Sequence, residues 1–198
     1  MKRYDNKLYK VSEKVWNNKS IDLSQFQVEC DTETNICFYN KTRKRINQKY
    51  NKKMGYFIKA NQKDPYTQDM YVYEGLPVIA RQTIQRGKVA MNNEQFVVNR
   101  VDNEGILIKN DRITIRIDID KFQKLFAMAY CITTHKSQGD TIKSKFTIYD
   151  WNAMDRHLKY TSITRGVNSN NIQIDNSDTR TKLDGVGSRL IGYRKQDL

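Results

Sequence analysis

Few residues here can build a metal centre or a disulfide framework. The 198-residue chain has three cysteines and two histidines. The cysteines (Cys30, Cys37, Cys131) are odd in number, lie in apolar or strand-like settings and show no C-x-x-C spacing. That excludes an obvious zinc site, and they read as reduced packing residues of an intracellular protein. No apolar run reaches membrane-spanning length and no secretory leader pattern is present, so the chain reads as soluble, with no membrane partner. Internal repeats and low-complexity tracts are missing too. What remains is one sizeable domain, or a domain with a small insert.

Negative charge is scarce. Against 22 Asp and Glu stand 35 Lys and Arg, a net charge of +13. Such a field favours a polyanionic partner, nucleic acid first and an anionic membrane surface second. Charge alone names neither, and a merely soluble basic surface is the plain alternative.

Along the chain, residues 1–20 are polar and basic with weak periodicity. They read as a frayed helix or a linker, an odd start that fits a chain cut from something larger. A short strand is expected at 27–30 and a better one at 35–39 (NICFY). Asn40 is then placed to cap a helix over 41–50. From 55 to 120 short apolar runs alternate with Gly and Asn turn signals. Strands are expected at 71–73, 77–80, 95–98, 106–108 and 113–119, and the last alternates strictly. This spacing suggests a small antiparallel barrel. After 120 the rhythm returns to α/β. It gives a buried strand over 125–133, a helix from His135, a strand at 145–149, a helix over 153–165 with Gly166 as its C-cap, and a strand at 171–174. Residues 177–198 read as a loose tail or a terminal helix. The expected fold is α/β, an α/β layer interrupted by a small β insert.

Three stretches carry chemistry, because each joins a strand's C-terminal end to a helix, where open α/β sheets bind ligands. The densest is 126–142, FAMAYCITTHKSQGDTI. Its apolar entrance breaks into Thr133, Thr134, His135, Lys136, Ser137, Gln138 and Gly139. Free amides at a helix start, hydroxyls and a lysine suit phosphate, and Gly139 permits close backbone approach. An ordinary helix cap is the alternative. The second stretch, 40–45, offers Arg43 towards a phosphate, or else a solvated basic face. The third, 160–166, carries Arg165 just before Gly166, and that arginine read alone is a partner for a helix C-terminus.

Together these stretches resemble superfamily 1 helicases. Residues 40–47, NKTRKRIN, resemble motif IV. Residues 129–141, AYCITTHKSQGDT, resemble motif V of the RecD/Dda-like branch. Residues 159–166, KYTSITRG, resemble motif VI. Their order is right, and a small β insert between motifs IV and V is similar to the SH3-like 2B subdomain of that branch. There, 75–80 (GLPVIA) and Asn92, Asn93 and Glu94 resemble the strand and turn where that barrel begins. The resemblance covers about residues 35–174, with THKSQG the specific part.

It implies a RecA-like second lobe of the P-loop-NTPase type, split as 1–70 and 120–198 around an insert at 71–119. In the complete two-lobe helicase ATP and Mg2+ lie in the cleft between the lobes, and single-stranded DNA crosses both. Arg165 falls on the motif VI arginine that reaches the γ-phosphate, the catalytic role. Gln138 and Gly139 fall near the nucleotide, and Arg43 is a second phosphate contact. Thr134, His135, Lys136 and Ser137 fall on the part facing DNA.

One departure matters. A first lobe needs a Walker A loop, G-x-x-x-x-G-K-[ST], and an acidic magnesium motif. Neither is here: Gly87-Lys88 is followed by Val89. The chain alone is not expected to hydrolyse ATP, and no metal ligands are assigned in it. It reads as the C-terminal motor lobe of an ATP-dependent DNA helicase whose N-terminal lobe lies in the same longer chain or in another. The alternatives are a non-catalytic single-strand-binding module and a degenerate remnant used for protein interaction.

Overall fold

The computed structural model describes residues 4–87 and 89–176. The tail expected over 177–198 lies outside them. In chain order the elements are α1 (Asn6–Trp16), β1 (Thr34–Cys37), α2 (Asn40–Tyr50), β2 (Tyr56–Ile58), β3 (Met70–Val72), β4 (Pro77–Ala80) and β5 (Gln95–Asp102). Then follow β6 (Gly105–Lys109), β7 (Thr114–Ile117), α3 (Ile119–Leu125), β8 (Phe126–Met128), β9 (Cys131–Thr133), β10 (Phe146–Tyr149), α4 (Arg156–Ile163) and β11 (Ile172–Asp175).

Four strands form a parallel sheet in the order β11-β10-β1-β9. They are short and almost wholly buried, as strands covered on both faces must be. Ile36, Phe146, Ile148, Ile172 and Ile174 join Leu8, Val11, Val15 and Ile163 in one core. Cys37, Cys131 and Tyr149 meet Ile46 of α2 in a second. Helix α1 packs on α4.

Helix α1 is not the frayed segment that its lysines suggested. Leu8, Val11 and Val15 recur at helical spacing and are buried. Asp5 accepts the Leu8 N–H at 2.6 Å as N-cap, and its other oxygen accepts the Ser169 N–H at 2.7 Å. The cap therefore ties the helix to the far end of the chain.

A second sheet is antiparallel, in the order β7-β6-β5-β4-β8, and β2 pairs with β3 as a separate ribbon. Its core gathers Val78, Phe96, Val98, Ile106, Ile108, Phe122 and Phe126. The strand expected over 113–119 stops at Ile117, because Ile119 opens α3, which lays Phe122 on Phe126 at 5.6 Å. The sheet takes in β8, past the 71–119 span expected for the insert.

The single strand expected over 125–133 is two strands in two sheets. β8 pairs with β4, and β9 pairs with β1. Between them, the Ala129 N–H donates to the Pro77 carbonyl and the Tyr130 carbonyl accepts from Asn35 Nδ2. One apolar run thus joins both sheets.

Local corrections have local causes. Residues 27–30 form no strand. The Glu29 and Cys30 N–H groups donate to Gln173 Oε1, at 2.7 and 3.1 Å, so a side chain replaces a strand partner. Tyr39, not Asn40, is the N-cap of α2. The junction before the helix is held by Asp150, which accepts from the Phe38 and Tyr39 N–H groups and the Thr42 hydroxyl. The helix expected over 153–165 begins only at Arg156, capped by Asp155, and ends at Ile163. Thr164 is its C-cap. Gly166 serves close packing instead: a Cβ there would stand 2.9 Å from Ile172 Cδ1.

Candidate functional site

Strands β1 and β9 are parallel neighbours with Cys37 opposite Thr133, so their C-terminal ends open side by side. Residues 38–43 leave one end and residues 134–140 the other. The Thr134 N–H continues the ladder to the Cys37 carbonyl at 2.9 Å. Arg81 leaves the end of β4 in the antiparallel sheet, where Ala80 opposes Phe126. These segments enclose a cleft of about 500 Å3, lined among others by Phe38, Arg43, Tyr66, Arg81, His135 and Lys136.

The cleft is cationic. Arg43 is buried, with Nε donating to Asn40 Oδ1 at 3.2 Å and Nη2 to the Tyr66 carbonyl at 3.3 Å. Burial lowers its pKa. Lys136 is half-buried, and its pKa is lowered first by burial and then by Arg43 and Arg81. Arg81 donates to Asp64 Oδ2 at 2.7 Å and to the Gln123 carbonyl. An anion entering here would relieve repulsion between Lys136 and its cationic neighbours.

Residues 134–140 do not open a helix as expected. They form consecutive turns: Lys136 and Ser137 N–H to the Thr133 carbonyl (2.9 and 3.1 Å), Gln138 N–H to His135, and Asp140 N–H to Ser137. Gly139, at φ 98°, turns the chain out. Amides expected to be free for phosphate are therefore used within the segment.

Thr134 and Ser137, expected on the part facing DNA, are fully buried. The Thr134 hydroxyl lies 2.9 Å from Ser162 Oγ, and the Ser137 hydroxyl donates to the Thr134 carbonyl at 2.8 Å. Their work is to hold the turn. His135, Gln138 and Gly139 are exposed.

Arg165 is buried as well. Its Nε donates to the Thr161 carbonyl at 2.9 Å, and its Nη1 to the carbonyls of Ser137 (3.4 Å) and Asp140 (3.2 Å). The Arg165 carbonyl accepts the Ile142 N–H at 2.8 Å. Gln95 of β5 donates to the Asp140 carboxylate at 2.9 Å. Burial raises the Asp140 pKa, opposed by Gln95 and Arg165. The set expected around ATP is thus divided. Arg43 lines the cleft with His135 and Lys136, whereas Arg165 grips the far end of the turn.

Sequence reasoning missed Arg81, Tyr66 and Asp150. Arg81 carried a usable signal, a basic residue directly after an apolar strand. Asp150 carried none, since the junction it holds lies over a hundred residues earlier.

No protein-family model matches the chain, and no curated protein does. Solved structures match its fold. Bacteroides Pif1 bound to single-stranded DNA superposes with a TM-score of 0.72 at 16% identity, covering 88% of this chain and 50% of that one. Pif1 helicases at forked double-stranded DNA give 0.70 at 18%, covering 88% and 48%. Candida albicans Pif1 gives 0.61 at 15%, covering 87% and 54%. The likeness is one of fold: the chain is α/β, with the parallel sheet of a helicase RecA-like lobe beside an antiparallel sheet. It spans about half the length of the chains it matches. Among the described residues, no helix is long and apolar enough to cross a membrane.

Proposed function

We propose that this chain is the C-terminal motor lobe of an ATP-dependent DNA helicase of the RecD/Dda-like branch, with its antiparallel sheet as the SH3-like insert. The observation that carries the reading is the cleft. Arg43, Lys136 and Arg81 converge at the C-terminal edge of a parallel sheet whose fold is that of half a Pif1 chain. Pif1 has been captured on single-stranded DNA, and with ADP-AlF3 and single-stranded DNA together. In this reading the cleft holds the phosphates of a single strand.

The residues present fit one side of a nucleotide site. Gln138 and Gly139 are exposed, and open space surrounds the position a Gly139 Cβ would take. Arg165 holds the carbonyls of Ser137 and Asp140, on either side of them. ATP supplies the γ-phosphoryl group whose hydrolysis drives such motors, and the Walker A lobe and the Mg2+ ligands belong to another part of the enzyme. Arg165 reaches a phosphate by exchanging carbonyl acceptors for charged oxygens, which are the stronger partners. That exchange frees the 134–140 turn, whose other end carries Lys136. Nucleotide state and grip on DNA are coupled through six residues.

A second reading, a single-strand-binding module without ATP, is favoured by one observation: the Arg165 guanidinium is already engaged by main-chain carbonyls. The two part on nucleotide response. The shared DNA site is tested by titrating the chain with a labelled oligo-dT at several salt concentrations. Affinity is expected to fall with salt, and Lys136→Ala to reduce the log–log slope by about 0.7. Salt-independent binding, or a slope unmoved by Lys136→Ala, contradicts the DNA site.

A further inference from the structure

Tyr66 stands at the edge of the cleft with 57% of its surface exposed. Its backbone is fixed from several directions. Its N–H donates to Asp64 Oδ1 at 2.9 Å, and its carbonyl accepts from Arg43 Nη2 at 3.3 Å. Next to it, the Thr67 hydroxyl donates to the carbonyls of Asn61 (2.9 Å) and Asp64 (2.8 Å). Asp64 is itself paired with Arg81. The two arginines that line the cleft therefore also clamp the loop that presents this ring. Pro65 stiffens the loop further by restricting its own φ.

A large ring on a clamped backbone, left open to solvent, is a preorganised contact. It has two side-chain torsions to immobilise, so little entropy is lost when something lies on it. Cations within the cleft and an aromatic face at its edge are the two halves of a single-strand site, one for phosphate and one for base. A free phosphate or a protein acid would use the first half and leave the second idle.

We propose that Tyr66 is a base-stacking platform: a nucleotide of single-stranded DNA sets its phosphate against Lys136 and Arg81 and lays its base on the Tyr66 ring. This rests on the cleft being a nucleic-acid site. Stacking makes the contact tolerant of sequence, because every base has a π-face.

The test compares the 198-residue chain with its Tyr66→Ala and Tyr66→Phe variants on a short oligo-dT and on an abasic oligonucleotide of equal length. Tyr66→Ala is expected to weaken oligo-dT binding about 5- to 100-fold with an unchanged salt slope. Tyr66→Phe keeps the ring and is expected to bind as the parent does. The abasic strand, lacking a base to stack, is expected to bind the parent and Tyr66→Ala alike. Unweakened oligo-dT binding by Tyr66→Ala, or an equal loss on the abasic strand, overturns the stacking role alone. If the parent chain binds neither oligonucleotide at low salt, the nucleic-acid reading of the cleft falls with it.

Discussion

The guanidinium of Arg165 donates to the main-chain carbonyl of Asp140 at 3.2 Å. With its bond to the Ser137 carbonyl, it fastens the end of the 134–140 turn to the residues just past α4. Removing it leaves buried carbonyls without a charged donor. Arg165→Ala is therefore expected to cost about 1.5–3 kcal/mol in urea unfolding. Arg45→Ala, on an exposed face of α2, is expected to stay within about 0.5 kcal/mol. Equal effects would deny Arg165 its fastening role.

Asp150 ties the strand–helix junction together by accepting from the Phe38 and Tyr39 N–H groups and the Thr42 hydroxyl. Asp150→Ala is expected to destabilise the chain by about 1.5–3 kcal/mol, since its partners lose a charged acceptor. It also loosens the strand–helix junction that places Arg43. Asp150→Asn keeps an acceptor, and asparagine tolerates the left-handed backbone at φ 61° better than alanine does. It should recover most of the loss in the same unfolding measurement. Loss of stability in both variants to the same extent would point away from these hydrogen bonds.

Gly166→Ala would place a methyl group 2.9 Å from Ile172 Cδ1 and 3.2 Å from Phe146 Cε1. The expected cost is about 1–2 kcal/mol of overpacking. Ile172→Val removes the nearer atom. In a double-mutant cycle the pair should therefore be less destabilised than the sum of the single changes. Additive values would place the strain elsewhere.

Lys136 titrates below the ordinary lysine value of 10.5, through burial first and then Arg43 and Arg81. Its charge is present below that lowered pKa and is lost as the pH rises through it. Single-strand affinity is expected to fall with rising alkalinity earlier than an ordinary lysine would allow. Lys136→Arg should move the fall to higher pH. Superimposable pH profiles for the two proteins would remove Lys136 from the contact.

Much of the layout was written in local pattern. Apolar runs around Ile36, Ile148 and Ile174 gave the buried parallel strands, and short runs with Gly and Asn turns gave strands of the antiparallel sheet. Tertiary choices were not local. Nothing between Phe126 and Thr133 breaks the apolar run, so its division at Ala129 and Tyr130 became visible only when both sheets were in place. The hydroxyls and amides after Thr133 suggested phosphate donors, but burial turned Thr134 and Ser137 inwards and left His135 and Lys136 at the cleft. Arg81 reached the same cleft from the other sheet, a meeting that chain order does not reveal.

ATP turnover stimulated by oligo-dT, measured with this chain joined to a first lobe that carries the Walker A loop, is the most direct measurement. The motor reading predicts that such a pair hydrolyses ATP in response to DNA. It also predicts that Arg165→Ala lowers turnover about 10³- to 10⁵-fold. Equal turnover with and without Arg165 would contradict it.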